Sequence, residues 1–157
     1  LSNRAPGDYR LHVLGACGRD PWVAQWYDGA AEEADASTLT VVEGAITDAT
    51  IQQVAGGVLH GSFVGDPYAA SASRHIRLYR GDGAPLCNDS FFIWDGAFSL
   101  PGLADGDYLL GTTVSGSTWW YPGTWEAAAA GRITIVDGGT VAGLAWLVPP
   151  GQVVIRQ

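Results

Sequence analysis

The chain has 157 residues, and its content of 47% hydrophobic and 15% charged residues predicts a folded core and excludes intrinsic disorder. Its formal net charge of −8 argues against nucleic acid and anionic membrane surfaces as partners. Membrane insertion is not expected either, because no apolar run approaches the roughly 18 residues of a membrane span. Twenty-two glycines and eight prolines predict the many turns of an all-β chain. Because Met is absent, we expect a processed or excised piece of a longer protein.

Part of the chain repeats itself. Residues 7–9 match residues 106–108 at an offset of 99, and residues 26–57 match residues 120–151 without gaps at an offset of 94. Identical pairs include Trp26/Trp120, Tyr27/Tyr121, Gly29/Gly123, Thr40/Thr134 and Gly44/Gly138. The change of offset indicates a loop insertion around residues 17–21. Self-similarity at a constant register predicts a repeated structural unit.

Taken from the N-terminus, the pattern predicts short strands separated by turns rich in Gly, Pro and Asp. Residues 16–35 are predicted as a long irregular loop, and Gly56-Gly57 as a boundary. Asp95-Gly96 predicts a hairpin turn, and residues 126–130 only a helical turn. The predicted strands are 9–14, 38–42, 45–54, 58–64, 75–79, 90–94, 97–100, 108–114, 132–136 and 140–148, with Ile76 and Leu78 pointing inward and the start of a further strand at 152–155.

Seven or so of these short strands belong to residues 58–148. At a spacing of about 8–12 residues, they predict a β-sandwich. The run SLPGLADGDYLLGTTVSG, followed by WWYPGTWEAAAAGRITIVDGGTVAGL, resembles the carboxypeptidase-regulatory-like, transthyretin-type domains, close to the Cna-B type. The resemblance implies an all-β, transthyretin-like or immunoglobulin-like sandwich. It implies one complete unit at residues 57–151, the second half of a unit at 1–56, and the start of a further strand at 152–157. It also implies tandem repeats in extracellular, secreted or cell-surface bacterial proteins, without catalytic activity.

Two cysteines, Cys17 and Cys87, can form one disulfide or remain as two buried free thiols. The domains that this chain resembles sometimes pair a cysteine before the WYxG loop with one in an early strand of the same unit. The resemblance therefore implies that Cys87 replaces the missing partner of Cys17. Such a bond would join the loop of the first copy to the complete unit.

Catalytic and metal chemistry find no support in the sequence. His12, His60 and His75 are isolated on predicted strands without zinc-ligand spacing, and there is no D-x-D-x-D-G run for calcium. The many turn aspartates follow from the preference of Asp for turns. A G-x-S-x-G elbow is absent, and Glu32 and Glu126 occupy matching repeat positions, which favours a structural role. We therefore predict a non-enzyme with no cofactor and no metal.

The aromatic residues carry the remaining functional signal. Recurrence of Trp26-Tyr27 and Trp120-Tyr121 favours rings that cap the sandwich, whereas Trp22, Trp119 and Trp125 do not recur. Tryptophans clustered at one loop end would form an apolar patch with polar handles, suited to sugar faces or an apolar protein partner. The candidate ligand-binding residues are Trp22, Trp119, Trp125, Trp120 and Tyr121, and packing in the core or between domains is the alternative.

Three functions remain open. The first is a secreted, non-catalytic binding or adhesion module whose partner is a polysaccharide or another surface protein. The second is a structural spacer in a tandem-repeat surface protein or extracellular enzyme. The third is a self-assembling subunit, because residues 1–56 supply about three strands with an edge that must be covered. Residues 153–155 are apolar enough to add that strand to another copy.

Overall fold

The computed structural model describes residues 4–15, 19–65, 74–86, 90–93 and 96–149. Twelve β-strands and two single-turn 3-10 helices, Glu33–Asp35 and Ala127–Ala129, form the secondary structure of this part of the chain. The strands are β1 (Gly7–Tyr9), β2 (His12–Val13), β3 (Gln25–Trp26), β4 (Leu39–Val41), β5 (Gly57–Val64), β6 (Arg74–Arg80), β7 (Phe91–Ile93), β8 (Ala97–Leu103), β9 (Gly106–Val114), β10 (Ser117–Trp120), β11 (Ile133–Ile135) and β12 (Thr140–Leu147). The predicted all-β sandwich is confirmed. Among the described residues, no helix is long and apolar enough to cross a membrane.

The last eight strands form a sandwich of two sheets. One sheet has the order β12-β5-β8, in which β5 runs antiparallel to β8 and parallel to β12. In the other sheet, β9 lies between β6 on one side and both β10 and β11 on the other, and β7 extends the sheet beyond β6. Because β10 and β11 share one edge of β9, the loop of residues 121–132 leaves that edge and returns to it.

The core lies between the two sheets. Successive side chains of a strand point to opposite faces, and the buried residues follow that alternation. They include Leu59 and Phe63 of β5, Ile76 and Leu78 of β6, Phe98 and Leu100 of β8, Tyr108 and Leu110 of β9, and Leu144 and Trp146 of β12. Trp146 packs against the rings of Phe63, Phe98 and Tyr121. The inward orientation predicted for Ile76 and Leu78 is confirmed.

The described residues between 4 and 56, which we call the half-unit, have the strand pairing of β9 to β11. β1 pairs with β4 and β2 pairs with β3, in the registers that join β9 to β11 and to β10. Residues at the sequence offsets of 99 and 94 lie opposite one another in both copies: Gly7/Val41 and Gly106/Ile135, His12/Trp26 and Gly111/Trp120.

Side-chain hydrogen bonds recur at the same positions. The Thr40 hydroxyl donates to the Asp8 carboxylate at 2.7 Å, and Thr134 donates to Asp107 at 2.7 Å. The hydroxyl of Tyr9 donates to the Ala5 carbonyl oxygen at 2.7 Å. Its counterpart in the sandwich, Tyr108, donates to the Ala104 carbonyl oxygen at the same distance of 2.7 Å. The polypeptide therefore enters β1 and β9 along the same local path.

The strand predicted for residues 45–54 does not form, and that prediction was wrong. Its counterpart is β12, which is held by parallel pairing with β5. Within the described residues the half-unit has no counterpart of β5, and an extended segment without a neighbouring strand is not stable in water. Residues 52–55 instead run beside residues 22–25, where the Val23 N–H donates to the Val54 carbonyl oxygen at 3.0 Å.

Three further strand predictions need correction. The hairpin at Asp95-Gly96 was wrong, because β7 pairs with β6 and β8 pairs with β5, so the chain crosses from one sheet to the other between them. Residues 117–120, predicted as loop, form β10 because the long strand β9 offers them a free edge. The strand predicted at residues 9–14 is divided into β1 and β2, which have different partners.

Several predictions fall outside the described residues. Cys17 and Cys87 are among these, as are residues 66–73 and 150–157. The disulfide and the further strand at 152–155 therefore stay predictions.

Candidate functional site

The five candidate aromatic residues do not form one cluster. The backbone of Trp22 pairs with that of Ala55 in an isolated antiparallel β-bridge, just before β5 begins. Trp119 lies at the other end of β5, because its indole N–H donates to the Leu147 carbonyl oxygen at 2.8 Å and Leu147 pairs with Val64. At a rise of about 3.3 Å per residue, β5 separates these two ends by roughly 20 Å. Trp22 therefore cannot share a binding surface with Trp119.

Trp119 is a structural residue. Its side chain is only 9% exposed and its indole anchors the end of β12 through Leu147. Gln25, at the matching repeat position, is buried and donates its side-chain N–H to the Gln52 carbonyl oxygen at 2.6 Å. The two side chains look unlike in the sequence, but each ties its own copy together with one N–H donor. The absence of a tryptophan at the matching repeat position therefore did not mean that Trp119 is free to bind a ligand.

Trp120 and Tyr121 are half-buried and also pack on the sandwich. The Trp120 ring lies 4.7 Å from the Tyr79 ring, and the Tyr121 and Trp146 rings make an edge-to-face contact at 6.1 Å. Neither residue presents a free ring in the way that a stacking platform requires.

Trp125 is the candidate that remains accessible. Its side chain is 51% exposed, and its ring centroid lies 4.6 Å from that of Trp119 at an interplanar angle of 75°. An edge-to-face contact occupies an edge of one ring and a face of the other. At least one face of Trp125 is therefore not covered by Trp119.

Two exposed aliphatic residues lie at the same end of the sandwich as Trp125. Leu147 and Val64 lie opposite each other at the ends of β12 and β5, and they are 55% and 38% exposed. Trp119 connects the two regions, because its indole N–H donates to the main-chain carbonyl oxygen of Leu147 and its ring contacts the ring of Trp125. We call Trp125, Leu147 and Val64 the Trp125 patch. These three residues are apolar and exposed, and Glu126, which follows Trp125 in the chain, is exposed as well.

The loop that carries Trp125 is held by main-chain hydrogen bonds. Trp120 and Thr124 exchange N–H donors at 2.7 and 3.0 Å, and the Leu147 N–H donates to the Pro122 carbonyl oxygen at 3.0 Å. The last of these bonds fastens the loop to β12. The Trp125 patch is thus built on a loop attached to both sheets of the sandwich.

A cleft of about 1100 Å³ lies between the half-unit and the end of the sandwich where β8 meets β9. Its lining includes the charged side chains of Arg80, Asp105, Asp107 and Arg132. The Asp105 carboxylate accepts the N–H groups of residues 137 and 138 at 2.9 and 2.8 Å, while Asp107 accepts from Thr134 and Arg132. No group of three potential metal ligands occurs among the described residues. Asp105 and Asp107 therefore hold turns and strands together.

No model of a known protein family matches this chain, and no curated protein matches it. The resemblance to carboxypeptidase-regulatory-like domains stays a prediction.

The buried Tyr108 in the cleft wall makes the stability of the fold sensitive to alkaline pH. Burial raises the pKa of Tyr108, the Arg80 charge lowers it, and the Asp105 charge raises it further, with burial the largest effect. A phenol with a raised folded-state pKa stabilises the fold below its unfolded pKa of about 10, and that contribution is lost as pH rises through the folded value. We therefore expect the free energy of unfolding to fall above about pH 10.

Urea unfolding of Tyr108→Phe at about pH 8 and about pH 11 tests this expectation. The variant should lose less stability between the two pH values than the unchanged protein does. Tyr9→Phe removes the matching hydroxyl of the half-unit and should keep the full loss, because Tyr108 is still present. Equal losses in Tyr108→Phe and the unchanged protein would contradict the assignment.

Proposed function

We propose that this chain is a non-catalytic binding module of an extracellular protein and that it holds a neutral polysaccharide against the Trp125 patch. The observation that carries the proposal is the half-exposed ring of Trp125, supported from below by the fixed ring of Trp119. The C–H groups on one face of a pyranose ring form an apolar surface that can stack on an indole. A rigid aromatic side chain supplies large contact area at little cost in conformational entropy.

The surroundings of Trp125 suit a sugar in two ways. The hydrogen-bonded loop holds the ring in place before binding, which lowers the entropy lost on association. Glu126, the exposed residue that follows Trp125 in the chain, has a carboxylate that can accept hydrogen bonds from sugar hydroxyls. The formal net charge of −8 disfavours anionic polysaccharides and so favours a neutral one.

A structural spacer in a tandem-repeat surface protein is the second candidate function. It is favoured by the equal strand registers of the half-unit and of β9 to β11, since a stack of like units extends a protein without any ligand. In that case the full chain binds no polysaccharide at all, and removing a unit changes only its reach.

Affinity electrophoresis through gels that contain soluble neutral polysaccharides separates these functions. Trp125→Ala should bind about tenfold or more weakly, because a lost stacking contact of about 1.4 kcal/mol corresponds to a factor of ten. Trp22→Ala is the matched control, since Trp22 is partly exposed at the opposite end of the sandwich and should keep full binding. Retarded migration that is unchanged in Trp125→Ala would contradict the patch, and retention by no polysaccharide would favour the spacer.

A further inference from the structure

The half-unit has an inner face whose counterpart in the sandwich is completely covered. The face consists of side chains that alternate along β1, β2 and β4 and the short link between them: Tyr9, Leu11, Val13, Leu39 and Val41. All five are only half-buried. Their counterparts at the sequence offsets are Tyr108, Leu110, Thr112, Ile133 and Ile135, each of which is buried with at most 5% exposure. In the sandwich, these side chains are covered by the strands β5, β8 and β12, which pack across the core.

The segment that follows β4 is also less buried than its counterpart in the sandwich. Residues 45–54 align with β12 but form no strand, and Val54 is 56% exposed where its counterpart Val148 is 1% exposed. β12 is ordered by parallel pairing with β5, from Thr140 opposite Val58 to Leu147 opposite Val64. The half-unit thus leaves open the places that β5 and its sheet fill in the sandwich.

We propose that this inner face is a docking surface for the first half of a like sandwich unit. The occupant is a four-stranded segment with the pattern of β5 to β8 that leads into Ala5, with residues 1–4 at its end. The join follows from the hydrogen bond of Tyr9 to Ala5, because Tyr108 makes the same bond to Ala104, which is the residue that directly follows β8. The inference does not depend on the polysaccharide proposed above.

The polar residues of the half-unit also specify the occupant. Thr50 and Gln52 align with the buried Leu144 and Trp146, so the half-unit brings smaller and more polar side chains to this part of the core. A segment identical to β5–β8 would leave space around Gln52 where the ring of Trp146 packs against Phe63 and Phe98. The natural occupant should therefore carry bulkier side chains opposite Gln52 than Phe63 and Phe98 provide.

The test supplies the occupant on the chain itself. A copy of residues 57–103 is joined to Ala5 in place of residues 1–4, so that it leads into β1 as β8 leads into β9. Hydrogen exchange, followed by mass spectrometry of peptides from residues 5–56, should slow by about tenfold or more, because the amides of β1 and β4 then belong to a closed sandwich. Peptides from residues 105–149, which the added copy does not repeat, serve as the internal reference and should not change.

Two further versions sharpen the outcome. Thr50→Leu with Gln52→Trp, placed in the extended protein, restores the core residues of β12 and should increase the protection. Leu59→Asp with Phe63→Asp in the added copy alone should abolish it. If residues 5–56 exchange at the original rate both in the extended protein and in its Thr50→Leu, Gln52→Trp version, the proposal is overturned, whether or not the added strands fold elsewhere. Protection of the unextended chain that rises with protein concentration would assign the face to a second copy and would overturn it as well.

Discussion

Trp146→Ala should lower the free energy of unfolding by about 3–5 kcal/mol, the largest loss that we expect from a single truncation in this chain. The Trp146 side chain is fully buried and touches the rings of Phe63 and Phe98 in its own sheet and the ring of Tyr121 in the loop after β10. The cavity left behind cannot collapse easily, because β12 is fixed by its pairing with β5. Urea unfolding followed by far-ultraviolet circular dichroism measures the loss.

Trp125→Ala is the matched control for this truncation. It removes the same side chain from a half-exposed site, where the contact with Trp119 is worth about 0.5–1.5 kcal/mol. Equal losses in the two variants would contradict the position of Trp146 in the core. Trp146→Phe should cost much less than Trp146→Ala, because it keeps a ring and removes an indole N–H that has no hydrogen-bond partner among the described residues.

Gly61→Ala should destabilise the sandwich by about 3 kcal/mol, at the upper end of the usual cost of overpacking. A Cβ on Gly61 would lie 2.6 Å from the Leu144 carbonyl oxygen and would overlap the ring of Phe98. The carbonyl belongs to the backbone of β12 and cannot rotate away, so β5 and β12 would have to separate. The same urea titration of the Ala variant measures the cost.

Two variants control for other effects of the Gly61 substitution. Ser62→Ala changes the next residue of β5, which is exposed, and should change the free energy of unfolding by less than about 0.5 kcal/mol. Phe98→Leu should recover part of the loss when it is combined with Gly61→Ala, because it relieves the ring overlap but not the contact with the backbone. If the two losses simply add in the double variant, Gly61 is not required by the position of the Phe98 ring.

The sequence predicted the sandwich well because its signals are local. Alternation in β6 placed Ile76 and Leu78 inside, and turn residues separated most strands correctly. The matching registers of β1 with β4 and of β9 with β11 follow offsets that can be read from the sequence alone. Strand pairing is less local, and it overturned the predicted hairpin at Asp95-Gly96 and the predicted strand at 45–54.

The candidate site was only partly predictable for the same reason. Tryptophans can be counted in a sequence, but their exposure depends on residues far along the chain. Trp119 is buried because its indole reaches Leu147, which is 28 residues away, whereas Trp125, six residues after Trp119, stays exposed. Val64 and Leu147 could join the Trp125 patch only once β5 and β12 were paired in parallel.

By itself, the sequence determined that this chain is all-β, where most of its strands lie, and that two stretches repeat each other. Those properties follow from side-chain alternation and turn chemistry, which act over a few residues, and from self-similarity, which can be read by aligning the sequence with itself. Only the tertiary structure decided which aromatic ring is free, which sheet each strand joins and why residues 45–54 form no strand. These depend on whether a partner strand is present, because backbone hydrogen bonds and buried apolar surface stabilise a strand only when a neighbour supplies the other half of each contact.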